Sequence, residues 1–361
     1  MPSVIVVGAG PAGSTAARLL AERGARVTLL EACRLPRPKL CGGGLTPKAL
    51  RLLPTVALAT VERLVDAVEL RGGRASPLRI RRPEATIAMV ERARFDHALV
   101  EAAAAAGAEV RDGEAVLEVA VDADGAHIVT TRGSIHGNVL VAADGEPSRV
   151  AHRLGLASPP SRIALALEVD LPFSATLPPG TAIVSLSVPG GYAWYFPKRD
   201  HASVGVASAR PGHYRELRSD LARFARGLDL AIENDRVRGH YIPVGLRTGP
   251  LAGARVVLVG DAAATVDPLF GEGIAYAVHS AGVAARTVED WAAGRVPDLR
   301  AYDARLRATL APAFGRLDMI ARMVDVSATA VLLALRTSEA ARDVGVDAVA
   351  GRRAPFALAT P

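Results

Sequence analysis

The chain has 361 residues, half of them apolar, with 43 basic against 37 acidic side chains and a formal net charge of +6. That length accommodates one large α/β domain and a second beside it, while two cysteines, Cys33 and Cys41, exclude a disulfide framework and imply a reducing, cytoplasmic setting. No run approaches the roughly twenty apolar residues of a membrane helix, no Cys/His spacing suggests a metal site, and dispersed arginines without a nucleic-acid motif argue against nucleic acid.

The first element is an apolar strand over residues 4–7, followed by Gly8-Ala9-Gly10-Pro11-Ala12-Gly13 and an amphipathic helix. A second strand, residues 27–30, ends in Glu31 and Ala32. This is the spacing of a dinucleotide site. Gly8 permits the tight turn, Gly10 lets backbone approach a pyrophosphate, and Gly13 allows close helix–strand packing. The helix N-terminus at Pro11 and Ala12 offers unpaired N–H groups to phosphates, and Glu31 can bind both ribose hydroxyls.

Residues 32–60 read as a long loop with a short helix containing Cys41, and residues 66–91 as strands. A helix is expected near 95–106, short strands with an Asp124-Gly125 hairpin turn over 114–141, and a helix over 148–154. Residues 160–243 alternate as an antiparallel sheet, interrupted by a helix near 214–227 and punctuated by turns at Pro178-Pro179-Gly180 and Pro189-Gly190-Gly191. Four of the chain's fifteen aromatic residues, Tyr192, Trp194, Tyr195 and Phe196, fall in one strand of it. Such clustering suggests a wall for an apolar or planar ligand.

A strand over 256–259 then enters Gly260-Asp261, where Asp261 can cap a helix or accept hydrogen bonds from sugar hydroxyls. Pro268, Gly271 and Gly273, leading into Ile274, make a loop whose backbone can approach a flat ligand. This second glycine-rich strand–turn–helix lies far downstream of the first. It implies that the chain returns to one sheet around one large cofactor, which favours FAD over NAD. Glu272, inside the loop, reads as structural. Residues 299–345 form a helical tail, and the apolar stretch 328–335 suits a core helix, a membrane-facing one or a dimer seam, with core as the default.

These segments resemble the flavoprotein superfamily that includes aromatic hydroxylases of the p-hydroxybenzoate type, and within it the geranylgeranyl reductase family. GAGPAG with Glu31 carries the first match. Arg92, ahead of Phe95-Asp96, resembles the arginine that contacts the flavin nucleotide. Asp144-Gly145 resembles the superfamily's Asp-Gly motif. Asp261 resembles the aspartate on the FAD ribityl chain, with residues 268–273 along the isoalloxazine. Lys39-Leu40-Cys41-Gly42-Gly43 and Tyr192-Ala193-Trp194-Tyr195-Phe196-Pro197-Lys198 are similar to segments of the reductase family itself.

The resemblance implies an α/β fold: a discontinuous Rossmann-like FAD-binding domain (residues 1–65, 92–160 and 250–295), an antiparallel-sheet substrate domain (66–91 and 161–249) and a helical C-terminal segment (296–361). It also implies an FAD-dependent oxidoreductase that reduces C=C bonds of a prenyl chain, with NAD(P)H or another low-potential donor as reductant. Cys41, Tyr192, Tyr195 and Lys198 are the candidate proton donors, and Trp194 completes the expected catalytic set. No partner that would ionise Cys41 is visible in the sequence.

Two other readings share these motifs. One is an aromatic monooxygenase on the same fold. A halogenase relative of it is disfavoured, because the expected Trp-x-Trp-x-Ile-Pro is absent. The other is a non-catalytic prenyl-binding escort. The net positive charge is compatible with peripheral contact with an anionic membrane.

Overall fold

The computed structural model describes residues 2–82, 86–178 and 180–350. Expectations touching Pro179, residues 83–85 and residues 351–361 lie outside the described residues.

Consecutive apolar residues in short strands need cover on both faces, and a parallel sheet supplies it. Five parallel strands run in the order Val256–Leu258, Val139–Ala142, Ser3–Val7, Arg26–Glu31 and Glu109–Asp112. The two distant glycine-rich segments therefore do meet in one sheet. Pro11–Glu22 packs between Arg92–Ala105 and Ile274–Ala292. The antiparallel strands Val116–Val121, Ala126–Thr130 and Gly133–Gly137 add Ile128 and Ala126 to the same core.

The second unit is a seven-stranded sheet in the order Arg238–Arg247, Pro160–Leu171, Ala202–Ser208, Gly191–Pro197, Thr181–Ser185, Ala67–Gly72 and Ala75–Arg81. It is antiparallel apart from one parallel pairing, Thr181–Ser185 with Ala67–Gly72. Pro160–Leu171 shows the two-residue period clearly: Leu165, Leu167, Val169 and Leu171 face the helix Leu217–Arg226, while Ala164, Ala166 and Glu168 face the other way. Ile87–Val90 does not join this sheet. It pairs with Gly44–Leu45 and Val61–Val65 in a small sheet between the two units.

Three helices follow: Ala301–Val326, Ala328–Thr337 and Glu339–Ala350. The tail is not a separate layer throughout. Tyr302, Leu306, Leu310 and Phe314 belong to the core of the parallel sheet, and the Tyr302 hydroxyl donates to the Leu258 carbonyl at 2.7 Å. Beyond Leu317 the helices swing across the open face of the large sheet. The expectation that residues 328–335 are core is corrected there: of the Ala328–Thr337 helix Leu332 is buried, while Ala330, Val331, Ala334 and Leu335 line a cavity.

Candidate active site

The Ser3–Val7 strand ends against Gly8, whose φ of +101° and 2.3 Å approach of a would-be Cβ to the Ala143 carbonyl oxygen exclude a side chain. A Cβ on Gly13 would lie 1.8 Å from the Gly8 carbonyl oxygen, so the helix seats directly on the turn. At Gly10 the surroundings are open: its nearest neighbour would be Arg37 Nη2 at 3.8 Å. The first helical turn, at Pro11 and Ala12, opens into the same space. An open glycine backbone below a helix N-terminus fits a pyrophosphate, as FAD requires.

Glu31 closes the neighbouring strand. Its Oε2 accepts from the Ala9 amide at 3.0 Å and its Oε1 from the Cys33 amide at 3.1 Å. Arg37, absent from the sequence reading, pairs with Glu31 at 3.1 Å and with Asp96 at 3.4 Å. Arg92 in turn grips Asp96 through two bonds of 2.7 and 2.8 Å and reaches the Cys41 sulfur. The charged groups Glu31, Arg37, Asp96 and Arg92 thus lead from one end of the cleft toward Cys41. Cys41 lies in a loop rather than the expected short helix; the short helices are Pro47–Leu50 and Thr55–Leu58. Its sulfur also accepts from the Gly43 amide at 3.4 Å, so a cationic neighbour exists that sequence alone did not reveal.

Across the cleft, Asp144 accepts from the Ser148 hydroxyl at 2.6 Å and the Val150 amide at 3.0 Å, which anchors the helix Arg149–Arg153. Burial pushes its carboxyl up, against those bonds. Gly260 begins a single 3-10 turn, Gly260–Ala263, and the long helix starts only at Ile274. Asp261 therefore caps no long helix. Its carbonyl accepts from the Ala264 amide at 2.9 Å, while its carboxylate makes no hydrogen bond among the described residues and lines the cleft. Lys39, 2.9 Å from His240 Nε2, stands near it; burial draws the Lys39 ammonium below its usual range, against the pull of Asp261.

The 268–273 loop is braced from both sides. Asp267 Oδ1 accepts from the Leu269 and Phe270 amides at 2.9 and 2.7 Å, and the Tyr192 hydroxyl donates to the Phe270 carbonyl. Below it, Lys48 is buried with its Nζ 2.6 Å from Glu272, 4.0 Å from Asp267 and 3.1 Å from the Tyr276 hydroxyl. Burial pulls that ammonium down, yet Glu272 and Asp267 outweigh it and hold it above its usual range. A further Nζ contact, 3.4 Å, goes to the Ala348 carbonyl in the last helix. Glu272 is structural as expected, but its partner went unnoticed, although Lys48 is one of three lysines among 43 basic residues.

The cleft continues into a cavity between the large sheet and the last helices, and the two together enclose about 1520 Å³. Its floor carries Ala166, Val184, Trp194 and Phe196, and its roof Met323, Val331, Leu335 and Val344. Tyr192, Trp194 and Phe196 alternate onto this face, with ring centroids 5.9 and 6.3 Å apart. The Trp194 ring lies flat over Gly205, where a Cβ would come within 2.1 Å of it, and Gly42 packs on Phe196. Tyr195 points to the opposite face, into the helix-covered core, where its oxygen accepts from the Ser174 amide at 3.2 Å. It is not at the cavity. Lys198 sits behind residues 42–44, paired with Glu91 at 2.6 Å.

Glu168, like Arg37, was missed altogether. It lies on the alanine face of Pro160–Leu171, 8% exposed, and lines the cavity. Its Oε1 accepts from the Ser203 hydroxyl at 3.0 Å, which itself accepts from Trp194 Nε1 at 3.0 Å. Burial pushes its carboxyl up to about 7, against Lys198 and Ser203. A charged residue on an otherwise small-residue strand face was the available signal.

Residues 1–210 match the family model described as FAD binding domain. A menaquinone reductase of Mycolicibacterium smegmatis is 31% identical over 78% of this chain and 75% of its own. The chloroplastic geranylgeranyl diphosphate reductase of Oryza sativa subsp. japonica is 31% identical over 89% of this chain and 74% of its own. Among solved structures, a geranylgeranyl bacteriochlorophyll reductase-like protein from Thermoplasma acidophilum superposes with a TM-score of 0.83 at 25% identity, covering 97% of both chains.

Proposed function

The chain belongs to the FAD binding domain family and, within it, to the geranylgeranyl reductases, and we propose that it holds FAD in the glycine-lined cleft and reduces C=C bonds of a prenyl chain lying in the adjoining cavity. Bound there, the reduced cofactor supplies a hydride. The protein's task is to bind and orient the chain, to keep water from it and to place a proton.

One observation carries the reading: cleft and cavity are continuous. Single ligands of drug size occupy roughly 300–1,000 Å³, so about 1520 Å³ accommodates a large cofactor and a second elongated molecule. In this assignment Gly8, Gly10, Pro11, Ala12 and Gly13 form the pyrophosphate cradle. Glu31 and Ala32 take the adenosine ribose, Arg92, Asp144, Gly260 and Asp261 flank the middle of the cofactor, and Pro268, Gly271, Gly273 and Ile274 face its ring. Cys41, Tyr192 and Trp194 mark the junction with the substrate, and Lys198 supports it from behind.

The cavity mouth favours a lipid substrate drawn from a bilayer. Met319, Met323 and Val326 line the cavity yet are 58, 57 and 87% exposed. With Arg322 beside them, this rim suits peripheral contact with an anionic membrane. The reductant in this reading is NAD(P)H or another low-potential donor.

The test is anaerobic incubation of dithionite-reduced holoprotein with geranylgeranyl diphosphate and geranylgeranylated lipids, followed by mass spectrometry. Additions of two hydrogens are expected, with the flavin absorbance returning as product forms. Stoichiometric oxygen uptake with hydroxylated product would replace this reading by a monooxygenase. Colourless protein that binds prenyl chains without flavin would replace it by an escort.

A further inference from the structure

The proton needs a source, and the cavity face supplies an acid. Glu168, Gly205 and Trp194 are register neighbours across three adjacent strands, so their side chains share the cavity face. The Glu168 carboxyl is held by one oxygen: Oε1 accepts from Ser203, and Oε2 has no hydrogen bond among the described residues. A carboxyl kept only to orient Trp194 needs nothing more than the first of these. The second oxygen, beside Ala164, Ala166, Trp194 and Phe196 on the cavity face, with Arg238 and His240 on the neighbouring strand, is placed to meet a ligand.

Burial raises its carboxyl, and the charges around it do not reverse that. Lys198 is the buried cation nearby, and it is already paired with Glu91 at 2.6 Å. Glu91 is 36% exposed at its side chain and His201, 26% exposed, lies 3.5 Å from both Glu91 and Asp170. Asp170 on the same strand repels a charge on Glu168, while Arg238, its register partner on the neighbouring strand, stands exposed at the same cavity face. Two carboxylates thus flank one buried ammonium. Glu91 already partners that ammonium, and desolvation holds Glu168 toward its protonated form. His201, Glu91 and Lys198 form a polar route from solvent toward it.

We propose that Glu168 is the acid that protonates the prenyl double bond. The inference rests on the preceding functional reading. As the π bond breaks, one carbon takes the hydride supplied by the reduced cofactor, which is left oxidised. The other carbon takes H⁺ from the Glu168 O–H, which is left as a carboxylate and regains its proton from water along the Lys198, Glu91 and His201 side. Electrons enter anew from a two-electron donor of the NAD(P)H class. Ser203 and Trp194 are positioning residues: they fix Oε1 so that Oε2 faces the substrate.

The test compares holoprotein wild type, Glu168→Gln and Glu168→Asp. Infrared titration without substrate should show in the wild type a protonated carboxyl band that disappears as pH rises through about 7 and is absent from Glu168→Gln. In anaerobic single turnover with geranylgeranyl diphosphate, Glu168→Gln should slow flavin reoxidation about 10²–10⁴-fold, the range for a lost general acid. Flavin spectrum, FAD affinity and dithionite reduction should stay unchanged, and Glu168→Asp should recover part of the rate. The wild-type rate should fall above neutrality and the Glu168→Gln rate should not. A Glu168→Gln rate within about threefold of wild type, with the same pH profile, overturns the proposal while leaving prenyl reduction intact. Wild type that reduces no prenyl chain overturns the functional reading itself. An ionised Glu168 at pH 6 in the infrared titration removes the acid whatever the activity.

Discussion

Replacing Lys48 by methionine should be among the most damaging single changes in the protein. The side chain is 1% exposed and lies 2.6 Å from Glu272 and 4.0 Å from Asp267, so the change leaves two buried carboxylates facing each other without a cation. Removing one partner of a buried pair costs about 3–5 kcal/mol, and at roughly 2 °C per kcal/mol for a chain of this size Tm should fall by about 6–10 °C. The deficit depends on pH. Burial raises the folded-state pKa of both carboxyls, against Lys48, so ionising them is costly to the folded state above their unfolded values, and Lys48 offsets that cost. Both carboxyls take up protons at higher pH in the folded chain than in the unfolded one, so in acid the cation has less to neutralise, and wild type and Lys48→Met should converge. The Lys48 ammonium, held above its usual range, loses its contribution only at still more alkaline pH. Thermal and urea unfolding at fixed excess FAD, at pH 5 and pH 8, reads both effects. A second change, Glu272→Gln, should restore a large part of the lost stability. A deficit under about 1 kcal/mol, or one equal at both pH values, would refute the picture of a buried ammonium bracing the 268–273 loop.

Three other outcomes are expected. Gly10→Ala should leave the apoprotein's Tm within about 1 °C and weaken FAD at least tenfold by fluorescence titration, since its Cβ meets nothing nearer than Arg37 at 3.8 Å. Gly13→Ala, with a Cβ 1.8 Å from the Gly8 oxygen, should instead lower Tm with or without FAD. Gly205→Ala should push the Trp194 ring off its seat and break the bond to Ser203. Tryptophan emission should shift and kcat/KM for prenyl reduction fall roughly ten- to a hundredfold, with FAD binding retained. Met323→Glu at the exposed rim should change stability by less than about 0.5 kcal/mol while raising KM for long prenyl chains and weakening co-flotation with anionic vesicles.

The cofactor cleft was legible because its chemistry is local. The turn at Gly8 to Gly13, the acid at Glu31 and the 268–273 loop each declare themselves within a few residues, and backbone geometry dictates the residue types. The antiparallel sheet was legible from alternation. What stayed hidden depends on tertiary neighbours. Arg37 and Lys48 look like ordinary surface cations until Glu31, Asp96, Asp267 and Glu272 arrive from distant segments. Tyr195 and Tyr192 differ only in which side of one strand they occupy, and a single step in register decides it. The helix Ala328–Thr337 reads as core because a cavity wall and a packed interior demand the same apolar side chains.

The Lys48 contact to the Ala348 carbonyl joins the two ends of this architecture. The ammonium that steadies the loop beside the cofactor also touches the helix that roofs the hydrocarbon space. The roof and the loop therefore share one ammonium, and displacing the tail would remove one of its contacts and leave Glu272 and Tyr276 to hold it.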